Sequence, residues 1–150
     1  MTKLITPSKN EYQLQIGLNT LHAETIEWLS EIEFGKTELS FLNKLLDKYF
    51  LRIEDTARLS ALFDLDKRLK GFKLNDLKLL HKVMVMHENR LDALDENMFS
   101  QDEQMVRDEH ATIKLKAEVF TDNIKKIKRE IFDFVEREII AVGKRKIDFL

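Results

Sequence analysis

Four histidines carry most of the chemical capacity of this sequence: His22, His81, His87 and His110. Two of them open and punctuate the stretch HKVMVMHENRLDALDENM, His81 to Met98, where they stand six residues apart among methionines and carboxylates. A neutral imidazole nitrogen ligates zinc, iron or manganese, and it exchanges its proton near neutral pH. Glu88, beside His87, adds a carboxylate oxygen. The five residues His22, His81, His87, His110 and Glu88 form the candidate metal set. With no cysteine in the chain, thiolate metal sites, disulfides and cysteine nucleophiles are excluded, and a reducing, cytoplasmic setting is the expectation.

Spacing weighs against a metal. Ligands that meet at one ion inside a helical bundle usually come in pairs, three or four residues apart on one helix. The positions three and four residues to either side of each histidine hold no histidine and no carboxylate: Thr25 and Ile26 follow His22, Met84 and Val85 follow His81, Arg90 and Leu91 follow His87, and Ile113 and Lys114 follow His110. The competing reading is a set of partly buried histidines whose polar tips reach water or a carboxylate. Facing imidazoles in a core resist protonation, so acid is expected to loosen such a layer.

The elements that position these residues follow from three apolar stripes with alternating spacings of three and four, the pattern of amphipathic and coiled-coil-like helices. The first runs Leu14, Leu18, Leu21, Thr25, Trp28, Ile32, Gly35, Leu39, Leu42, Leu46 and Tyr49, predicting a helix from about Asn10 to about Phe50 after a loose start at Pro7 and Ser8. Gly35 is read as a point of close helix approach. Asp55 suits the N-cap of the second helix. That helix carries Leu59, Leu62, Phe63, Leu65 and Leu69, then Leu77, Leu80, Met84, His87, Leu91, Leu94 and Met98, with Gly71 and Asn75 able to be tolerated, to kink it, or to divide it. The third opens on Ser100-Gln-Asp-Glu103, a capping-box pattern, and continues through Val106, His110, Ile113, Ala117, Phe120, Ile124, Ile127, Ile131 and Phe134 to Ala141, with Glu138 out of character. Short connections imply antiparallel neighbours. The expected fold is a single all-α domain: an antiparallel up-down bundle of three long helices, or four if the second is broken near Gly71, with residues 1–10 loose.

Folding the hairpins at about residues 53 and 100 sets His22 opposite about residue 84 and His110 opposite about residue 90. All four histidines then share roughly 14 Å of axial height. Sequence alone thus places the candidate belt at one depth of the bundle.

Other features receive solvated or packing roles. Glu24, Glu27 and Glu31, and likewise Glu88, Asp92, Asp95 and Glu96, follow helical spacing away from the apolar stripes, as a charged outer face does. The basic runs KKIKRE and GKRK are interrupted by acids and lack interleaved aromatics, and the formal net charge is −2, so no nucleic-acid partner is expected. Phe34, Phe41 and Phe50 form a second apolar edge on the first helix, and the terminal IDFL could dock similarly; both point to a protein partner or a homodimer. MTKLITPSKNEYQLQIGLN has no long apolar h-region, and no run approaches the ~18–20 apolar residues of a membrane span. No phosphate loop, nucleophile elbow or dinucleotide fingerprint occurs, so no catalytic residue and no cofactor are expected.

The segment LHAETIEWLSEIEFGKTELSFLNKLL, Leu21 to Leu46, resembles the first helix of small bacterial helical-bundle proteins through its Leu-His-x-Glu…Glu-Trp-Leu-x-Glu pattern. The resemblance implies a helical bundle and no particular activity. Among bundles with a known role, hemerythrin-like domains are the nearest analogy, since they too hold histidines inside helices; the paired ligand spacing of that fold is missing here. The sequence therefore reads as a non-catalytic interaction or structural protein, with a hemerythrin-like or ferritin-like metal-binding bundle as the alternative.

Overall fold

The computed structural model describes residues 5–96 and 103–148, with side chains over 17–94 and 103–144. The fold is all-α, and no strand occurs among the described residues. Helix α1 spans Ile5–Asp47, α2 Thr56–Gly71, α3 Leu77–Glu96 and α4 Glu103–Asp148. A π-helical turn, Phe72–Asp76, joins α2 to α3 without leaving helical geometry, so the long helices number three.

The π turn has a cause in the core spacing. Leu69 and Leu77 are both buried, yet they stand eight residues apart, which leaves them about 80° out of line in a regular α-helix. One turn of wider π geometry absorbs the extra residue and returns Leu77 to the inner face. Gly71 plays no part as a breaker: its φ and ψ are −59° and −46°, and an added Cβ would meet nothing within 4 Å.

Helix ends differ modestly from the sequence reading. α1 begins at Ile5, before the expected Asn10, and takes in Pro7, whose missing N–H is tolerated in a first turn. It ends at Asp47, and turn residues carry the chain past Phe50. Asp55 caps α2 as expected, its carboxylate accepting from the Arg58 N–H at 2.9 Å. Ser100 of the capping box, Met98, and the terminal Phe149 and Leu150 lie outside the described residues.

The chain forms two compact units. The first comprises Met1–Phe34 and Leu79–Glu118. Within it Leu18, Thr25 and Ile32 of α1 are buried along with Leu80, Met84, His87, Leu91 and Leu94 of α3 and Val106, His110 and Ile113 of α4. His22 reaches Glu88 and His81 comes near Glu33, so later residues on one helix meet earlier residues on the other, as antiparallel helices require. Arg107 of α4 crosses Gly17 of α1, where an added Cβ would lie 3.1 Å from its Nη2. The group over Gly17 is thus a side-chain tip, and Gly35 has as its nearest neighbour Phe120 Cε1 at an ordinary 4.0 Å, so neither glycine is required by close helix approach.

The second unit comprises Gly35–Lys78 and Val119–Leu150. Leu39, Leu42, Leu46, Ile53, Leu62, Leu65, Leu69 and Leu77 bury against Ile124, Ile127 and Ile131. Glu138 interrupts this apolar stripe with only 3% exposure, and Arg58 donates to both of its oxygens at 3.0 and 3.3 Å. The pair explains an acid at a core position: a buried carboxylate is tolerable when a guanidinium satisfies it. One residue beyond each core position of α4, Phe132, Ile139 and Val142 are exposed and Val135 is half-buried. Their spacing of three, four and three gives α4 a second apolar stripe in this unit. On α1, Phe41 is exposed, while Phe50 packs edge-on to Phe63 with ring centroids 5.0 Å apart.

Candidate functional site

The functional side chains converge in the first unit, where α1, α3 and α4 pack on one another. They form two separate groups in place of one belt.

The first group is a string of hydrogen bonds through the core. His87 is fully buried. Its Nδ1 lies 2.6 Å from Glu109 Oε1, and its Nε2 lies 2.9 Å from His110 Nδ1. His110 continues the string from Nε2 to Glu24 Oε2 at 3.3 Å. Arg90 closes the other end by donating to Glu109 Oε2. Trp28 lies over His110 with ring centroids 4.5 Å apart.

Proton counting defines what this string can do. Two neutral imidazoles carry two N–H groups, but three bonds run through four ring nitrogens to two carboxylates. With His87 Nδ1–H donating to Glu109 and His110 Nδ1–H donating to His87, the remaining nitrogen, His110 Nε2, faces Glu24 without a proton. That bond is the longest of the three. One additional proton would complete the string, but burial holds the His110 imidazole below its usual pKa, and the neighbouring His87 and Lys114 add to the effect despite the Glu24 carboxylate. Glu109 is pushed upward by burial, but hydrogen bonds from Arg90 and His87 outweigh this and keep it below the ordinary carboxylate range. The arrangement is thus a bonded imidazole pair in which His110 resists protonation, anchored at its other end by a carboxylate held in its ionised form. Both ring nitrogens of His87 and of His110 are engaged and the two rings are buried, so neither is open to an ion arriving from solvent.

The second group is more open. His22 Nδ1 on α1 lies 2.8 Å from Glu88 Oε1 and 3.8 Å from Asp92 Oδ1 on α3. One ligand atom from each residue falls within 4.8 Å of both others. Glu88 is only 21% exposed at its side chain, whereas Asp92 is 64% exposed and faces water. Glu88 Oε2 and His22 Nε2 are buried without a hydrogen-bond partner.

These positions correct the expected metal set. His22 and Glu88 meet. His87 and His110 meet each other and turn away from that pair. His81 joins neither group: its Nε2 is 3.9 Å from Glu33 Oε1 and its side chain is 42% exposed. Its place beside, and not on, the apolar stripe puts it near the rim. The expected solvated acids are corrected too, since Glu24 closes the core string and Glu88 is largely covered.

Helical pairing read outward from each histidine does not reach Glu88 and Asp92, which stand four residues apart on α3 while the histidine beside them comes from α1. His22 was expected opposite residue 84 and stands opposite 88 and 92, one to two turns further along. The π turn, which a uniform 3.6-residue period cannot anticipate, accounts for about one residue of that offset.

No protein-family model, curated protein or solved structure matches the chain. Its function must be argued from its own residues.

Proposed function

We propose that this protein is a non-catalytic interaction protein that self-associates through α4, its partner a second copy of the chain. The observation that carries the reading is the exposed stripe of Phe132, Val135, Ile139 and Val142. Apolar residues at spacings of three and four present a seam of coiled-coil type, and a helix that offers one to solvent gains by covering it. A two-fold pairing lets the same stripe meet itself, so one surface suffices for both partners. The Leu21–Leu46 resemblance to small bacterial helical bundles implies the scaffold without adding an activity. A cytoplasmic setting belongs to the same reading, supported by the lack of cysteine. Among the described residues, no helix is long and apolar enough to cross a membrane.

Sedimentation velocity over a wide concentration range tests the reading. The expected result is a concentration-dependent dimer that Ile139→Glu and Phe132→Glu convert to monomer without loss of helicity. A strictly monomeric wild type would remove the proposal.

A further inference from the structure

The geometry points to a divalent-metal site built by His22, Glu88 and Asp92, taking an ion of the zinc or manganese class. It stands apart from self-association and draws on different residues.

The three donors come from two helices that antiparallel packing holds together. Glu88 and Asp92, four residues apart, share one face of α3, as ligands to a common ion must. His22 of α1 lies across from both, with Nδ1 2.8 Å from one carboxylate and 3.8 Å from the other. An ion about 2.1 Å from each of two donors holds them ~3.0 Å apart at a right angle and ~4.2 Å apart on opposite sides. The distance to Asp92 already falls in that range, and the distance to Glu88 needs only a slight opening.

A second, independent observation concerns Glu88. Its Oε2 is buried and accepts no hydrogen bond, although buried carboxylate oxygens are normally satisfied. A cation seated between His22 and Asp92 would neutralise the carboxylate that carries this orphan oxygen. Charge favours the same outcome. The two carboxylates bring two negative charges, and among the described residues no lysine or arginine ion-pairs with Glu88 or Asp92.

The donor set selects the ion. One imidazole with two carboxylates suits zinc, manganese or ferrous iron, whereas calcium and magnesium favour oxygen-only sites. Zinc should bind more tightly than manganese by the usual order of divalent affinities. Three protein ligands, one of them open to solvent at Asp92, leave positions for water. Binding needs His22 Nδ1 free of a proton.

The test is isothermal titration of tag-free protein with Zn²⁺, and separately with Mn²⁺. The expected result is one ion per chain, with zinc affinity falling at least about tenfold in His22→Ala and in Asp92→Asn. Asp92 is exposed, so its variant keeps the fold whatever happens at His22. His81→Ala, which alters an exposed histidine outside the cluster, should leave the affinity unchanged. Absence of binding, or binding that survives both His22→Ala and Asp92→Asn, would overturn the assignment. Loss of zinc binding in His81→Ala alone would equally overturn it, because the ion would then sit elsewhere.

Discussion

Replacing His87 by leucine gives the sharpest view of the buried string. The substitution keeps an apolar side chain of similar bulk in a fully buried position. It deletes the bonds to Glu109 and to His110, each contributing roughly 0.5–1.5 kcal/mol net. It also strands His110 Nδ1 in the core, a penalty on the order of 1–3 kcal/mol. Leucine returns about 1 kcal/mol through added apolar burial. The expected loss is therefore about 3 kcal/mol, or ~6–12 °C in Tm for a chain of this size. Removing both rings, in His87→Leu with His110→Leu, eliminates the stranded group. Glu109 keeps Arg90, and Glu24 is exposed enough to recover water. The double variant should thus be less destabilised than the two single variants added together, with a coupling of about 1–2 kcal/mol. Urea unfolding at pH 7.5, with an unchanged denaturant slope, provides the readout. Strict additivity would refute the bonded pair and return His87 and His110 to independent packing roles.

Acid should weaken the same layer: His110 titrates below its ordinary value when folded, so the unfolded chain takes up the proton first, stability is fully present above about pH 6.5, and it declines as pH falls below that. A melting temperature that stays flat between pH 7 and 5 would contradict this, and His110→Leu should flatten the profile. In the second unit, Arg58→Leu leaves the Glu138 carboxylate buried and unpaired, an expected loss of about 3 kcal/mol, while Arg58→Leu with Glu138→Leu should recover most of it. Equal destabilisation of the single and double variants in urea titrations would show that Arg58 does not satisfy Glu138.

Periodicity conveyed the fold well because each stripe records which residues leave water. Leu18, Ile32 and Leu46, or Ile113, Ile127 and Ile131, sit inside for the reason their spacing implied. His87 and His110 were legible on the same terms, as stripe members whose polarity required an internal partner. What the pattern hides is rotation and slippage. The eight-residue gap from Leu69 to Leu77 is the trace that the π turn leaves in the sequence. Reflection through a hairpin gives depth and no azimuth, so His81 seemed equivalent to His87 although it lies near the rim. Partner identity was least visible for acids: Glu24, Glu88 and Asp92 share the helical spacing of any solvated face, and only the neighbouring helix distinguishes them.

Helices α1 and α3 meet so that His22 faces Glu88 and Asp92 while His87 and His110 face each other. Long-range proton–nitrogen NMR of the four imidazoles, recorded with and without one equivalent of Zn²⁺, tests that arrangement directly. His22 alone should move to a metal-bound nitrogen shift, His87 and His110 should keep their hydrogen-bonded signatures unchanged, and His81 should resemble a solvent-exposed histidine throughout. Zinc-induced shifts at His87, His110 or His81 with His22 unmoved would contradict the arrangement.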